Sequence, residues 1–404
     1  MNRNEKLLVG VSALYFIAST MSGVFVAVYL YSATGSLWMM SLYTMNRFGL
    51  YPLAFIIGAQ LTRKIRMAGV LTSGLIVNII GLAVLLSINT GFNDHNYLVF
   101  VIASIFGLGE GLYWFSMNIL NQAASTKPSR GKFVAQMGIF NGVAMVLAPL
   151  LSTQIILFAP SDTTGYIWIF EVVIVIFSIT AFISTKVSTL VQYEPLVFRD
   201  KLILKKGSQW RYVIISHFLF GIRDSLTLFL TGLLVYNAAS GNGSMYGNLL
   251  TFFAILGILS NTVASRLIKR ENRLKMYQRG AYLLFTSTVV LVFMPNIYGA
   301  LYFGIANSIG SPFYFNPFSI IMMNALHDYS EKENINVRII LKETALAFGR
   351  LLGMGLIVVA FFTLPETIYL KVVVSFSSCF ALILIYYATN YHIARDKRIH
   401  EHLQ

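Results

Sequence analysis

Cysteine is almost missing from this chain. Cys379 is the only one, which excludes an intrachain disulfide and leaves no metal or redox signature. Charge is scarce as well. Of the 404 residues 11% are charged and 56% hydrophobic, and the mean hydropathy of +0.70 lies far above that of a soluble protein of this length. A soluble domain is excluded and an integral membrane protein remains. The sequence also lacks phosphate-cradling loops, clustered His/Cys spacings and nucleophile motifs. It therefore carries no enzyme chemistry, calls for no cofactor or metal, and must draw on an ion gradient or a substrate's own gradient for any transport it performs. Acidic residues are few, 16 against 30 Lys and Arg. The resulting net charge of +14 does not indicate nucleic acid, because the basic residues sit between apolar runs, where the positive-inside rule accounts for them.

What is present is a succession of apolar runs. Divided by charge and turn residues they give twelve expected spans, at about 6–33, 36–62, 67–90, 96–121, 133–158, 164–188, 210–237, 242–266, 276–294, 297–325, 336–363 and 366–392. Met1 to Lys6 is short and polar, and the apolar run after it is too long for a signal-peptide core, so the first span is expected to stay uncleaved. An even number of spans puts both termini on one side. With that side cytoplasmic, 26 of the 30 Lys and Arg fall there; Lys371 alone lies outside, and Arg47, Arg223 and Arg350 fall within spans. The outer turns, such as Ser32 to Gly35 and Gly91 to Asn96, are too short for a domain.

Two halves echo one another. Leu14 to Ser36 and Ser216 to Ser244 are both aromatic-rich helices that end in a tyrosine, Tyr31 and Tyr236, followed by small turn residues. Phe106-Gly107-Leu108 and Phe303-Gly304-Ile305 begin a second matching pair, each continuing to aromatics (Tyr113, Trp114, Phe115; Phe313, Tyr314, Phe315) and then to asparagine (Asn118; Asn324). Residues 1–188 read as an N-terminal six-helix bundle, 189–209 as a cytoplasmic linker, and 210–404 as a C-terminal six-helix bundle with a short cytoplasmic tail. Parallel six-span repeats are the plan of one large class of secondary transporter, with the substrate site near mid-membrane between the halves.

The plan resembles the major facilitator superfamily over nearly the whole chain. That family's signature between the second and third spans is a Gly, three residues, then Asp-Arg-x-Gly-Arg. Here Gly58, Arg63 and Arg66 match it, while Thr62 replaces the Asp and Ile65 the Gly. The resemblance implies that Arg63 and Arg66 form a gating loop, lacking the usual Asp. Gly138, Gly142, Ala148 and Pro149 are a reduced form of the family's antiporter Gly-Pro motif. The run Val337 to Gly353, with Gly221 to Asp224, is similar to a Gram-positive group called YqgE-like.

Several ionisable residues fall inside spans, where each costs free energy and so calls for a partner or a function. On the seventh span His217, Asp224 and Thr231 recur every seven residues on one face, with Arg223 about 100° away. Asp224 reads either as a protonatable carboxylate lining a cavity or as half of a local ion pair. The eleventh span carries Glu343 and Arg350 seven apart, with Lys342 beside them and Gly349 and Gly353 spaced for close helix packing. These residues read either as an Arg–carboxylate pair between this span and the seventh or tenth, broken and remade during rocking, or, for Glu343, as a gate or solvated residue near the cytoplasmic interface. On the fourth span Glu110, Trp114 and Asn118 share a face; on the second, Tyr43, Arg47 and Tyr51 do. Glu110 is either protonated or paired across helices with Arg47. The rings at Tyr113 and Tyr314 suit either stacking on a planar substrate or core packing. Pro52, Pro149, Pro312 and Pro317 mark expected kinks.

The expected protein is thus an all-α membrane protein of twelve transmembrane helices in two pseudo-symmetric bundles. Its expected work is rocker-switch secondary transport, with proton-coupled export of an amphipathic or lipophilic compound first. Lipid or glycolipid flipping and a non-transporting sensor or scaffold are the alternatives. Asp224, Glu110 and Glu343 are the candidate proton carriers. Arg47, Tyr43, Tyr113, Trp114, Asn118, His217, Arg223, Tyr314 and Arg350 are the candidate cavity residues. Expected partners are a small-molecule or lipid substrate, protons and the lipid bilayer, with the chain a monomer in the cell membrane and no nucleic acid involved.

Overall fold

An apolar chain in hydrocarbon must satisfy its backbone internally, and this one does so with helices; no strand occurs among the described residues. The computed structural model describes residues 1–34, 37–88, 97–125, 128–188, 209–238, 243–329, 335–365, 368, 371–372, 375–376 and 378–390. The linker expected at 189–209 therefore lies almost wholly outside them, and the outer turn at 91–96 and the tail from 391 lie wholly outside. The side chains of Tyr31, Thr231 and Tyr236 are outside the description too. Two compact units emerge, Met1–Leu196 and Val197–Gln404.

The first unit holds α1 (Arg3–Thr34), α2 (Leu37–Gly49), α3 (Tyr51–Leu61), α4 (Met67–Ile88), α5 (Tyr97–Ala124), α6 (Arg130–Phe158) and α7 (Asp162–Ser184). The apolar stretch expected as one second span is two helices, because Pro52 occupies the first turn of α3, where its missing N–H is tolerated. Pro149 stays inside α6. In this unit α5 lies against α2, α3 and α4, while α1 packs on α6 and α7.

The second unit holds α8 (Gln209–Ala238), α9 (Gly243–Leu267), α10 (Arg273–Phe293), α11 (Ile297–Tyr329), α12 (Ile335–Thr363) and a shorter apolar helix, Ser378–Asn390. Its strongest packings are α8 on α12, α10 on α11 and α9 on α11, and both Pro312 and Pro317 lie inside α11. Across the described residues seven helical stretches are long and apolar enough to cross a membrane.

The start of α1 shows how polar ends are satisfied. The Asn2 N–H donates to Glu5 Oε2 at 2.7 Å and the Glu5 N–H donates to Asn2 Oδ1 at 2.8 Å, a reciprocal capping box. The Ser129 hydroxyl donates to the other Glu5 oxygen at 2.6 Å, tying α1 to the start of α6. Arg130 and Arg338, counted with the loop cations in the sequence, are both buried. Arg130 donates to the Ser125 carbonyl at 3.2 Å, and Arg338 lies with its guanidinium carbon 4.9 Å from the Trp210 ring centroid.

Candidate functional site

In each unit an Arg–carboxylate pair joins two helices, with Glu110, Asp224 and Arg350 near the middle of theirs and Arg47 in the last turn of α2, and small residues bring the helices together. In the first, a Cβ on Gly107 of α5 would lie 2.5 Å from the Arg47 carbonyl oxygen, and one on Gly111 would strike the Ala54 side chain. Only glycine allows this backbone approach. It sets Arg47 beside Glu110. The Arg47 Nε–H donates to Glu110 Oε2 at 2.8 Å, Nη2 donates to Oε1, and the Tyr51 hydroxyl donates to Oε2. A bidentate fork with a third donor is the arrangement that best compensates a desolvated carboxylate. The guanidinium carbon of Arg47 also lies 6.0 Å from the ring centroids of Tyr43 and Phe48.

In the second unit the glycines are Gly221 on α8 and Gly349 and Gly353 on α12. A Cβ on Gly221 would strike the Leu346 carbonyl oxygen, one on Gly349 that of Phe218, and one on Gly353 the Ser225 hydroxyl. Backbone touches backbone at this crossing, one turn from the charges. Asp224 therefore meets Arg350 rather than its chain neighbour Arg223. The Arg350 Nε–H donates to Asp224 Oδ2 at 3.0 Å and Nη2 lies 2.8 Å from the same oxygen. The two side chains are 18% and 23% exposed, so the pair is mostly but not wholly covered. Arg223 is buried, with its guanidinium carbon 5.3 Å from the Tyr314 centroid and 5.8 Å from that of Phe315.

Other candidates are distributed around these pairs. Glu343 pairs with Lys342 at 2.7 Å, both nearly buried, instead of with Arg350. His217 lies within electrostatic reach of that pair, accepts or donates at 2.8 Å between Nδ1 and the Val213 carbonyl, and has its ring 5.5 Å from Phe318. The rings read as substrate-stacking candidates are core. Tyr113 is fully buried and stacked on Tyr15 at 3.4 Å, and Tyr314 is fully buried and stacked on Tyr277 at 4.9 Å. A protein ring already occupies the face a ligand would need. Trp114 and Asn118 are half-buried, Trp114 standing edge-on to Tyr15, Phe16 and Tyr113. Gly58 lets α3 approach Phe115, while Arg63 and Arg66 are exposed just past the end of α3.

Tyr51 and the pair Lys342–Glu343 complete these clusters. Tyr51 was visible in sequence only as a neighbour on the face of Arg47, and its hydroxyl's target, Glu110, lies 59 residues away. No group of three His, Cys, Asp or Glu among the described residues could hold a metal ion.

Long apolar helices in two units, with most of the charge at depth held in ion pairs, define a multi-pass helical membrane protein. Residues 8–354 match the Major Facilitator Superfamily, and the chain belongs to that family. Its members are transporters rather than enzymes. A Bacillus subtilis (strain 168) protein called YqgE, uncharacterised, is 24% identical over 363 residues, covering 88% of this chain and 82% of that protein. An uncharacterised Geobacillus stearothermophilus protein encoded in the sodM 3′ region is 27% identical over 170 residues, 42% of this chain and 78% of that one. Among solved structures, a bacterial homologue of the iron transporter ferroportin in an outward-facing state superposes with a TM-score of 0.73 at 14% identity, covering 97% of this chain and all of that one. A variant of the E. coli fucose:proton symporter FucP gives 0.67 at 12% identity over 95% and 98%. At such identities the likeness is one of fold.

Proposed function

We propose that this chain is a proton-coupled secondary transporter of the cell membrane that exports an amphipathic or lipophilic compound. In this reading twelve spans form two related halves that rock about a mid-membrane cavity, with both termini cytoplasmic. Arg63 and Arg66 hold the cytoplasmic side in one of its states. The observation that carries the coupling is the Asp224–Arg350 pair, which joins the midpoints of α8 and α12.

An arginine in contact favours a charged carboxylate, and an apolar wall without a counter-charge favours the neutral acid. If α8 shifts against α12 inside the second half by a few ångströms as the halves rock, proton uptake at Asp224 is tied to that movement. The other charged groups on these two helices are Arg211 and Arg223 on α8 and Arg338, Lys342 and Glu343 on α12, with Lys342 and Glu343 already paired to each other. Arg47–Glu110 is better satisfied, because Tyr51 supplies a third donor that Asp224 lacks among the described residues. Glu110 accordingly serves as the firmer, structural partner and Asp224 as the proton carrier.

The test begins with a thermal-shift screen of amphipathic compounds on purified protein at pH 6 and pH 8. A compound that stabilises is then followed in proteoliposomes under an imposed pH gradient. Wild type is expected to accumulate it uphill, and Asp224→Asn to lose accumulation while exchange stays measurable. Glu110→Gln should have the smaller effect. Uphill accumulation by Asp224→Asn would remove Asp224 from the coupling role.

A further inference from the structure

Among the described residues Arg223 and Arg350 lie at mid-helix and Arg47 in the last turn of α2, and of these three only Arg47 and Arg350 meet a carboxylate. Arg47 has Glu110, Arg350 has Asp224, and the buried Lys342 has Glu343. The remaining carboxylate away from helix ends, Glu171, is on α7 in the first unit and is exposed. The other described acidic residues, Glu5, Asp162, Glu271 and Asp328, lie in a connecting segment or within a turn of a helix end. Among the described residues Arg223 is left as a mid-helix cation without a carboxylate. It is 5% exposed, and among the described residues no carboxylate lies within ion-pair distance and no acceptor within hydrogen-bond distance of its guanidinium.

What surrounds Arg223 is aromatic. Tyr314 and Phe315 hold the guanidinium over their rings at 5.3 and 5.8 Å, an attraction that offsets only part of the dehydration of a cation. Tyr314 is closed off beneath by Tyr277. Phe315 and Phe220, edge-to-face at 5.8 Å, are both half-buried; Phe220 is stacked on Phe318 at 5.2 Å through one face, and part of each of the two rings is open. A cation kept at mid-helix without a resident counter-charge is a place for one that arrives and leaves. The planar fork of a guanidinium suits a carboxylate or a similar oxyanion.

We infer that Arg223 binds the acid group of an organic monoanion, with Phe220 and Phe315 against its apolar body. A single cation fits one acid group. The assignment rests on the transporter reading and narrows its substrate to amphipathic anions.

The experiment is equilibrium binding to the full chain in lipid nanodiscs, with 1-naphthoate, 1-naphthamide and 1-naphthylmethylammonium as probes of equal ring size. The acid is expected to bind at least about tenfold more tightly than the amide or the ammonium ion, and Arg223→Gln to erase that preference, a loss on the order of tenfold to a hundredfold. Arg223→Lys, which keeps the charge without the fork, should fall between, and it decides the matter where Arg223→Gln does not fold. Equal binding of the three probes to wild type, or undiminished naphthoate binding to Arg223→Gln or Arg223→Lys, overturns the assignment. The measurement needs no gradient. Arg223-dependent anion binding without accumulation in proteoliposomes supports this site and counts against transport. Accumulation of a neutral compound without such binding keeps transport and overturns the anion.

Discussion

Breaking the Asp224–Arg350 pair from one side should cost far more than removing it from both. A buried ion pair that loses one partner is destabilised by roughly 3–5 kcal/mol, an exposed one by at most about 1 kcal/mol. With the two side chains 18% and 23% exposed, the structure lies nearer the buried limit, so Asp224→Asn and Arg350→Gln should each cost about 2–3 kcal/mol. In the double variant no uncompensated charge remains, and the neutral amides can still hydrogen-bond. It should cost no more than either single change, giving a coupling energy of about 2 kcal/mol or more. Denaturation of the purified protein by SDS titration in mixed micelles measures all four corners of the cycle. Single costs that add to within about 0.5 kcal/mol would show that the two groups do not depend on each other, and the coupling role of the pair would fall with that result.

Gly349→Leu should disrupt the α8–α12 crossing, since even a Cβ there strikes the Phe218 carbonyl; a loss of about 3 kcal/mol or more, or a failure to stay monodisperse, is expected. Gly257→Ala, with open space around it, should fold as wild type in the same assay. Tyr51→Phe removes one donor from Glu110 and should cost about 1.5–3 kcal/mol, the range for a hydrogen bond to a charged group; in a Glu110→Gln background the same change should cost less, and an equal cost in both would detach Tyr51 from the pair. In a Cys379→Ser background an impermeant thiol reagent applied outside intact cells should label Lys371→Cys and spare Lys269→Cys if the proposed topology, with the basic loops cytoplasmic, holds; the reverse pattern would invert the topology.

Much of the fold was legible because membrane insertion imposes a coarse rule. Apolar runs of helical length and basic connections are local properties, so the helices α4 to α12 fall close to the expected bounds. The break before Tyr51 follows from Pro52, also a local signal. The site was legible only as a set of faces. Arg47 and Tyr51 on one helix and Glu110 on another could be named, and so could Asp224 and Arg350. Which base meets which acid depends on packing through Gly107, Gly221 and Gly349, and no periodicity reports that. Arg130 and Arg338 were counted only as two of the 26 basic residues between spans; their burial against Ser125 and Trp210 is a matter of packing. Tyr113 and Tyr314 show the same limit, since only Tyr15 and Tyr277, far off in sequence, turn their faces into core.

The central claim is that the protonation state of Asp224 selects between two arrangements of the halves. Spin labels at Lys64→Cys and Lys269→Cys, both exposed positions, in a Cys379→Ser background report the separation of the two units as a distance distribution in nanodiscs. Two populations are predicted, whose ratio shifts between pH 8 and pH 6 in wild type, while Asp224→Asn holds a single ratio at both pH values. One unchanging distance in wild type, or an Asp224→Asn variant that still shifts with pH as wild type does, would contradict the account.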